Sequence, residues 1–143
     1  MPAYPTLKNR SVTLAVTGGI AAYKSCELVR LLKKAGADVR VIMTEAAAHF
    51  VTPLTFEALS GHAVGIENLT RDMPHLAATH GACDLMIVAP ATADILGKAA
   101  HGIADNLVST AIIARAAPLA VCPAMNTRMW GNPAVQRSVK VLA

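Results

Sequence analysis

The run Asp84-Leu85-Met86-Ile87-Val88-Ala89-Pro90 is apolar at nearly every position rather than at alternate ones. A strand of that kind must be covered on both faces, which is the situation of a strand inside a parallel sheet flanked by helices. A second segment of the same character, Ser11-Val12-Thr13-Leu14-Ala15-Val16-Thr17, stops at Gly18-Gly19. Over 20–35 the apolar residues Ala22, Cys26, Val29 and Leu32 recur at helical spacing, Gly36 ends the pattern, and Val39-Arg40-Val41-Ile42-Met43 reads as the next strand. Strand, glycine turn, helix and strand in that order form a βαβ unit with parallel strands and a right-handed crossover.

The remainder continues the alternation. Thr52-Pro53 is a helix cap followed by proline at the first helical position, and Gly61 closes that short helix. Residues 62–74 read as a loop with room for one short strand. Helices are expected over 92–100 and 105–116, with Gly102 between them, then a strand over 118–123, and a last helix opening at Asn132-Pro133 and still running at Ala143. The fold class is therefore α/β, a three-layer doubly wound parallel sheet of the flavodoxin or Rossmann-like kind, with residues 1–10 as a leader and 11–143 as one domain. Ligands of such sheets gather beyond the carboxyl ends of the strands.

Composition narrows what such a domain can be. Of 143 residues, 54% are hydrophobic and 15% charged, and mean hydropathy is +0.45. That is more apolar material than a small monomer can bury, so a homo-oligomer is expected. Without an apolar signal core or a membrane-length apolar run, the expected location is cytoplasmic, with no membrane partner. A net charge of +4 and 3% aromatic residues supply neither the basic surface nor the stacking platforms of a nucleic-acid binder. Cys26, Cys83 and Cys122 are too widely spaced for a metal clamp and sit in or beside apolar runs, so no metal site is expected and the thiols read as buried and reduced.

Three segments at strand ends can carry chemistry. Gly18-Gly19 lets the backbone approach a ligand while the following helix offers free N–H groups to a phosphate, although a tight turn alone would use the same glycines. With no G-x-G-x-x-G, a mononucleotide or another phosphate ester suits the turn better than a dinucleotide. In Pro90-Ala91-Thr92-Ala93-Asp94, small side chains leave room for a flat ring, and Thr92 or Asp94 can equally serve as an ordinary helix cap. In Pro123-Ala124-Met125-Asn126-Thr127-Arg128-Met129-Trp130, the Asn126 amide can donate to a carboxylate or bond a thiol or carbonyl by either function. Met and Trp can wall a pocket there, or pack as core beneath a proline-bounded loop.

Together with Gly102-Ile103-Ala104-Asp105-Asn106-Leu107, these segments resemble, in the same order, the homo-oligomeric flavin-containing cysteine decarboxylases. The resemblance runs from about Val12 to the end of the chain, and Pro-Ala-Met-Asn-x-x-Met-Trp is its most specific part. It implies an FMN cofactor contacted by Gly18, Gly19, Ile20, Thr44, Phe50, Thr92, Ala93, Asp94, Ile95 and Ser109. It implies a catalytic histidine at His75, in Pro74-His75-Leu76, ahead of His80, and this chain has one residue more between His75 and Asp84 than the family pattern. It implies catalytic and substrate-binding roles for Asn126, which would hold the substrate carboxylate, and a substrate contact at Met129. The implied partner is a phosphorylated small-molecule thiol, and the implied assembly a homo-trimer or a dodecamer of trimers.

The activity implied is FMN-dependent decarboxylation of 4′-phosphopantothenoylcysteine to 4′-phosphopantetheine on the route to coenzyme A, a carboxy-lyase reaction begun by oxidation of the cysteine thiol. The alternatives are a peptidyl-cysteine decarboxylase and a non-catalytic FMN-binding regulatory or partner subunit. The family also carries a flap with an Ala-Cys-Gly motif after its final helix. Nothing in these 143 residues matches it, Cys122 preceding the Pro-Ala-Met-Asn segment, so the sequence reads as a truncated member with incomplete turnover.

Overall fold

The computed structural model describes residues 6–66 and 83–143. In chain order its elements are β1 (Ser11–Val16), α1 (Ala22–Lys34), β2 (Asp38–Met43), a 3-10 turn (Ala47–His49), α2 (Pro53–Ser60), β3 (Leu85–Ala91), α3 (Ala93–His101), α4 (Leu107–Ala114), β4 (Leu119–Pro123), α5 (Thr127–Trp130) and α6 (Pro133–Leu142).

The four strands form one parallel sheet in the order β2-β1-β3-β4. Successive side chains of a strand point to opposite faces, and the core divides accordingly. Leu14, Val16, Val41 and Met43 face one side with Val29 of α1 and Phe56 of α2. Ala15, Ile42, Met86 and Val88 face the other with Ile95 and Leu96 of α3 and Leu107, Val108 and Ala111 of α4, while Val135 and Val139 of α6 pack against that second cluster. Strands buried on both faces between two helical layers are what their unbroken apolar sequence requires. Beyond β2, Gly65 makes an isolated parallel bridge to Ile42, the one strand-like feature of 62–66. Among the described residues no helix is long and apolar enough to cross a membrane.

Local chemistry sets most helix ends. The Thr52 side chain accepts from the Thr55 amide, and Gly61 closes α2 at φ 78°. Thr92, rather than Asp94, caps α3 by accepting from the Ile95 amide.

Three expectations need correction. The helix expected over 105–116 begins only at Leu107, because Asp105 and Asn106 supply the cap: Asn106 Oδ1 accepts from the Ser109 amide at 2.8 Å, and Ser109 Oγ accepts from the Asn106 amide at 3.0 Å. The loop read after Pro123 contains the one-turn helix α5, capped by Asn126, and Met129 and Trp130 are 44% and 40% exposed rather than core. The cysteines are not uniformly buried: Cys122 is exposed near the end of β4, while Cys26 and Cys83 are half-buried. Burial pushes the Cys26 thiol above its ordinary pKa, against a weaker opposing effect of its own backbone hydrogen bond.

Candidate functional site

The chain runs from β1 to β2 on one side of the sheet and resumes on the other side of β1 with β3. The switch point therefore lies at the carboxyl ends of β1 and β3, where a doubly wound sheet opens a crevice. Thr17 joins the two strand ends. Its hydroxyl donates to the Pro90 carbonyl and accepts from the Thr92 amide at 3.1 Å, and it is buried to 1% exposure.

Two hollows adjoin there, sharing Gly18 and Thr92. The polar one, about 430 Å³, is lined by Thr17, Gly18, Thr44, Glu45, Ala46, Thr92, Asp94, Ile95, Lys98, Asp105 and Asn106. The apolar one, about 560 Å³, is lined by Gly18, Gly19, Ile20, Ala21, Thr92, Ala93, Ala124, Met125, Asn126 and Met129. Each has the volume of a small-molecule site.

The polar hollow is equipped for an anion. No side chain caps the N-terminus of α1, whose N-cap is Ala21; of the turn leading into it Gly18 lines this hollow, while Gly19, Ile20 and Ala21 line the apolar one. Thr44 Oγ1 accepts from the Ala47 amide at 3.1 Å and Thr92 Oγ1 from the Ile95 amide at 3.3 Å, which leaves each hydroxyl proton for a ligand. The apolar hollow has walls suited to a flat ring and one directional group. Asn126 Oδ1 accepts from the Met129 amide at 2.8 Å, which leaves the two hydrogens of its NH2 to donate.

The two glycines of the turn are not equivalent. A Cβ on Gly18 would come within 2.5 Å of Ala46 Cβ, whereas one on Gly19 would meet only Thr92 Cγ2, at 3.7 Å. Gly18→Ala is expected to destabilise the fold by about 1–3 kcal/mol by overpacking, and Gly19→Ala to stay within about 0.5 kcal/mol of the parent. Urea unfolding of the two variants checks this, and equal losses would contradict it.

Lys98 also lines the polar hollow. Its Nζ lies 3.1 Å from Asp94 Oδ2 and 3.2 Å from Asp105 Oδ2. Burial opposes its charge, but the hydrogen bonds to Asp94 and Asp105 outweigh that and hold its pKa above the ordinary lysine value. The hydrogen bond from Lys98 in turn holds Asp105 below the ordinary carboxylate range.

Of the residues singled out from sequence, Gly18, Gly19, Ile20, Thr44, Thr92, Ala93, Asp94, Ile95, Asn126 and Met129 line one hollow or both. Phe50 is 49% exposed just past the 3-10 turn and lines neither. Ser109 is fully buried, its hydroxyl held in the cap of α4. His75 and His80 lie outside the described residues. Thr17, Lys98, Asp105 and Asn106 also line the polar hollow without a site role in the sequence reading, although Asp105 and Asn106 lie in a segment that carries the family resemblance. The i, i+4 spacing of Asp94 and Lys98 was a usable signal for one pair, but nothing local brings Asp105 to the same ammonium. Among the described residues there is no group of three or more His, Cys, Asp or Glu that could hold a metal ion.

A family model described as Flavoprotein matches residues 2–143. The chain is 51% identical over 140 residues to the coenzyme A biosynthesis bifunctional protein CoaBC of Bacillus subtilis (strain 168), covering 95% of this chain and 34% of that protein. It is 49% identical over 142 residues to CoaBC of Escherichia coli (strain K12), covering 96% and 35%. It thus spans about a third of the length of these relatives. Among solved structures, the FMN-dependent cysteine decarboxylase SpaF matches with TM-score 0.87 and 31% identity over 96% of this chain and 81% of that one. A PPC decarboxylase variant complexed with pantothenoylaminoethenethiol matches with TM-score 0.79 and 31% identity over 93% and 76%.

Proposed function

This chain belongs to the flavoprotein family, and from that premise we propose that it binds FMN in the paired hollows and decarboxylates a cysteine-bearing carboxylate, with 4′-phosphopantothenoylcysteine, on the route to coenzyme A, as the substrate. The observation that carries the reading is the pairing itself: a polar hollow lined by the Thr44 and Thr92 hydroxyls is joined, through Gly18 and Thr92, to an apolar hollow at the uncapped N-terminus of α1 with an amide donor on its wall. FMN has the same two parts, a phosphorylated polar chain and a flat ring.

The N–H groups of the Gly18 turn with the Thr44 and Thr92 hydroxyls would hold the phosphate and its chain. Ile20, Ala93, Ala124, Met125 and Met129 would enclose the ring and exclude water from the reacting face. The chemistry supplied by bound oxidised FMN is that of an acceptor for the electron pair of the substrate's cysteine side chain, which lets the neighbouring carboxylate leave as CO₂. Asn126 would hold that carboxylate by donating to it, and His75 would take the thiol proton, imidazole changing protonation near neutral pH. The same proposal includes a homo-oligomer built on trimers. Ile20 and Met129, 75% and 44% exposed, leave the rim of the apolar hollow open to a second copy.

One preparation tests the reading. The purified protein is expected to be yellow with non-covalent FMN, larger than a monomer by light scattering, and to release CO₂ from 4′-phosphopantothenoylcysteine faster than from a peptide ending in cysteine. Protein that takes up no added FMN overturns the whole reading. FMN-bound protein inert towards both substrates would leave a non-catalytic flavin subunit, and preference for the peptide would reassign the substrate.

A further inference from the structure

The polar hollow is acidic for a site that would receive a phosphate. Its lining holds Glu45, Asp94 and Asp105, and Lys98 is the one basic side chain among the described lining residues. Glu45 follows β2, Asp94 and Lys98 belong to α3, Asp105 precedes α4, and Gly18 comes from the turn that leads into α1. Without Lys98 every charged side chain in the described lining would repel an anion.

Lys98 is also held in place. Its side chain is only 21% exposed, and Asp94 and Asp105 grip the ammonium from the first turn of α3 and from the run-in to α4. Asp105 is itself fixed, since its Oδ1 accepts from Ser109 Oγ at 3.3 Å and its amide donates to the same hydroxyl at 3.0 Å. An ammonium has three donors. Two go to the carboxylates, and the third stays available on the wall of the hollow without the entropic cost of ordering a free lysine chain.

Building on the FMN reading above, we propose that Lys98 is the specificity-determining residue that lets this site prefer a phosphorylated flavin over riboflavin, screening the Asp94 and Asp105 carboxylates it pairs with and presenting its remaining donor to the phosphate. A structural ion pair alone would support both flavins equally. Specificity would change the ratio of their affinities.

The test is titration of flavin-stripped protein with FMN and with riboflavin, for the parent, Lys98→Gln, Lys98→Arg and Asp105→Asn. For Lys98→Gln the FMN dissociation constant is expected to rise about 30-fold, equivalent to about 2 kcal/mol at about 1.4 kcal/mol per tenfold, with riboflavin changed less than about threefold. Lys98→Arg should restore most of the FMN preference. Asp105→Asn, which removes one carboxylate and keeps the ammonium, should raise that preference above the parent's and decides the matter if Lys98→Gln does not fold. Equal weakening of both flavins in Lys98→Gln, or an Asp105→Asn variant with no gain in FMN preference, overturns the inference. A parent that binds neither flavin overturns the FMN reading instead.

Discussion

Asn126→Asp is expected to keep its fold and its FMN while losing CO₂ release by about 100-fold or more. The substitution separates the two jobs of this side chain. Asn126 Oδ1 caps α5 by accepting from the Met129 amide at 2.8 Å, and aspartate is as good an N-cap as asparagine. The NH2 is what disappears, replaced by a carboxylate oxygen facing where a substrate carboxylate would lie. Loss of a hydrogen bond to a charged group removes about 1.5–3 kcal/mol, and like-charge repulsion adds to it, so a two- to three-decade loss follows at about 1.4 kcal/mol per decade. Asn126→Ala would lose the cap as well, at a further cost of about 1 kcal/mol in stability, so it is the poorer probe. Flavin absorbance, urea unfolding and CO₂ release measured on one batch decide it. An aspartate variant working at the parent rate would remove Asn126 from substrate binding.

His75→Asn is expected to have an effect of similar size by a different route. General acid–base catalysis by a positioned side chain contributes about 10²- to 10⁴-fold, and asparagine keeps polarity without a titrating ring. FMN binding should survive, since the described lining of the two hollows, from the ends of β1, β2, β3 and β4 together with α3 and the run-in to α4, is left intact by the substitution. The competing residue is His80. If His75 opens a helix, as the family resemblance implies, His80 points about 140° away at about 100° per residue, so His80→Asn should change the rate by less than about threefold. The two variants are compared with the parent for CO₂ release at equal flavin content. Full activity of the His75 variant with loss in the His80 variant would transfer the role to His80 and mark the extra residue before Asp84 as having moved the site.

How much of this was legible beforehand depends on the range of the interaction that decided it. The Thr52-Pro53 start and the Gly61 end of α2 are settled within a single helical turn, and the sequence reads them correctly, while it narrows the cap of α3 to Thr92 or Asp94. The helix α5 escaped because it is four residues long. No hydrophobic periodicity can show in one turn, and a turn that short has little stability of its own. Asn126 was consequently seen as a free amide, when half of it is committed to the cap. Exposure of Cys122 escaped because an apolar strand sequence does not tell how much of the strand is covered, and only the outermost place of β4 among the described strands leaves it open.

By itself, then, the sequence determined the order and type of the elements longer than one helical turn, the parallel sheet, and the strand-end segments that would meet a ligand, since unbroken apolar runs bounded by glycine, proline and capping residues encode these locally. Only the tertiary structure decided what those segments do for one another. Gly18 must lack a side chain because Ala46, from the end of β2, occupies the space. Thr17 ties β1 to β3 across more than seventy residues. Asp105 reaches Lys98 because the chain reverses at Gly102, at φ 69°. Each is a contact between groups far apart in the chain or across a turn, fixed by where packing places the backbone, and no local pattern of residue types carries that information.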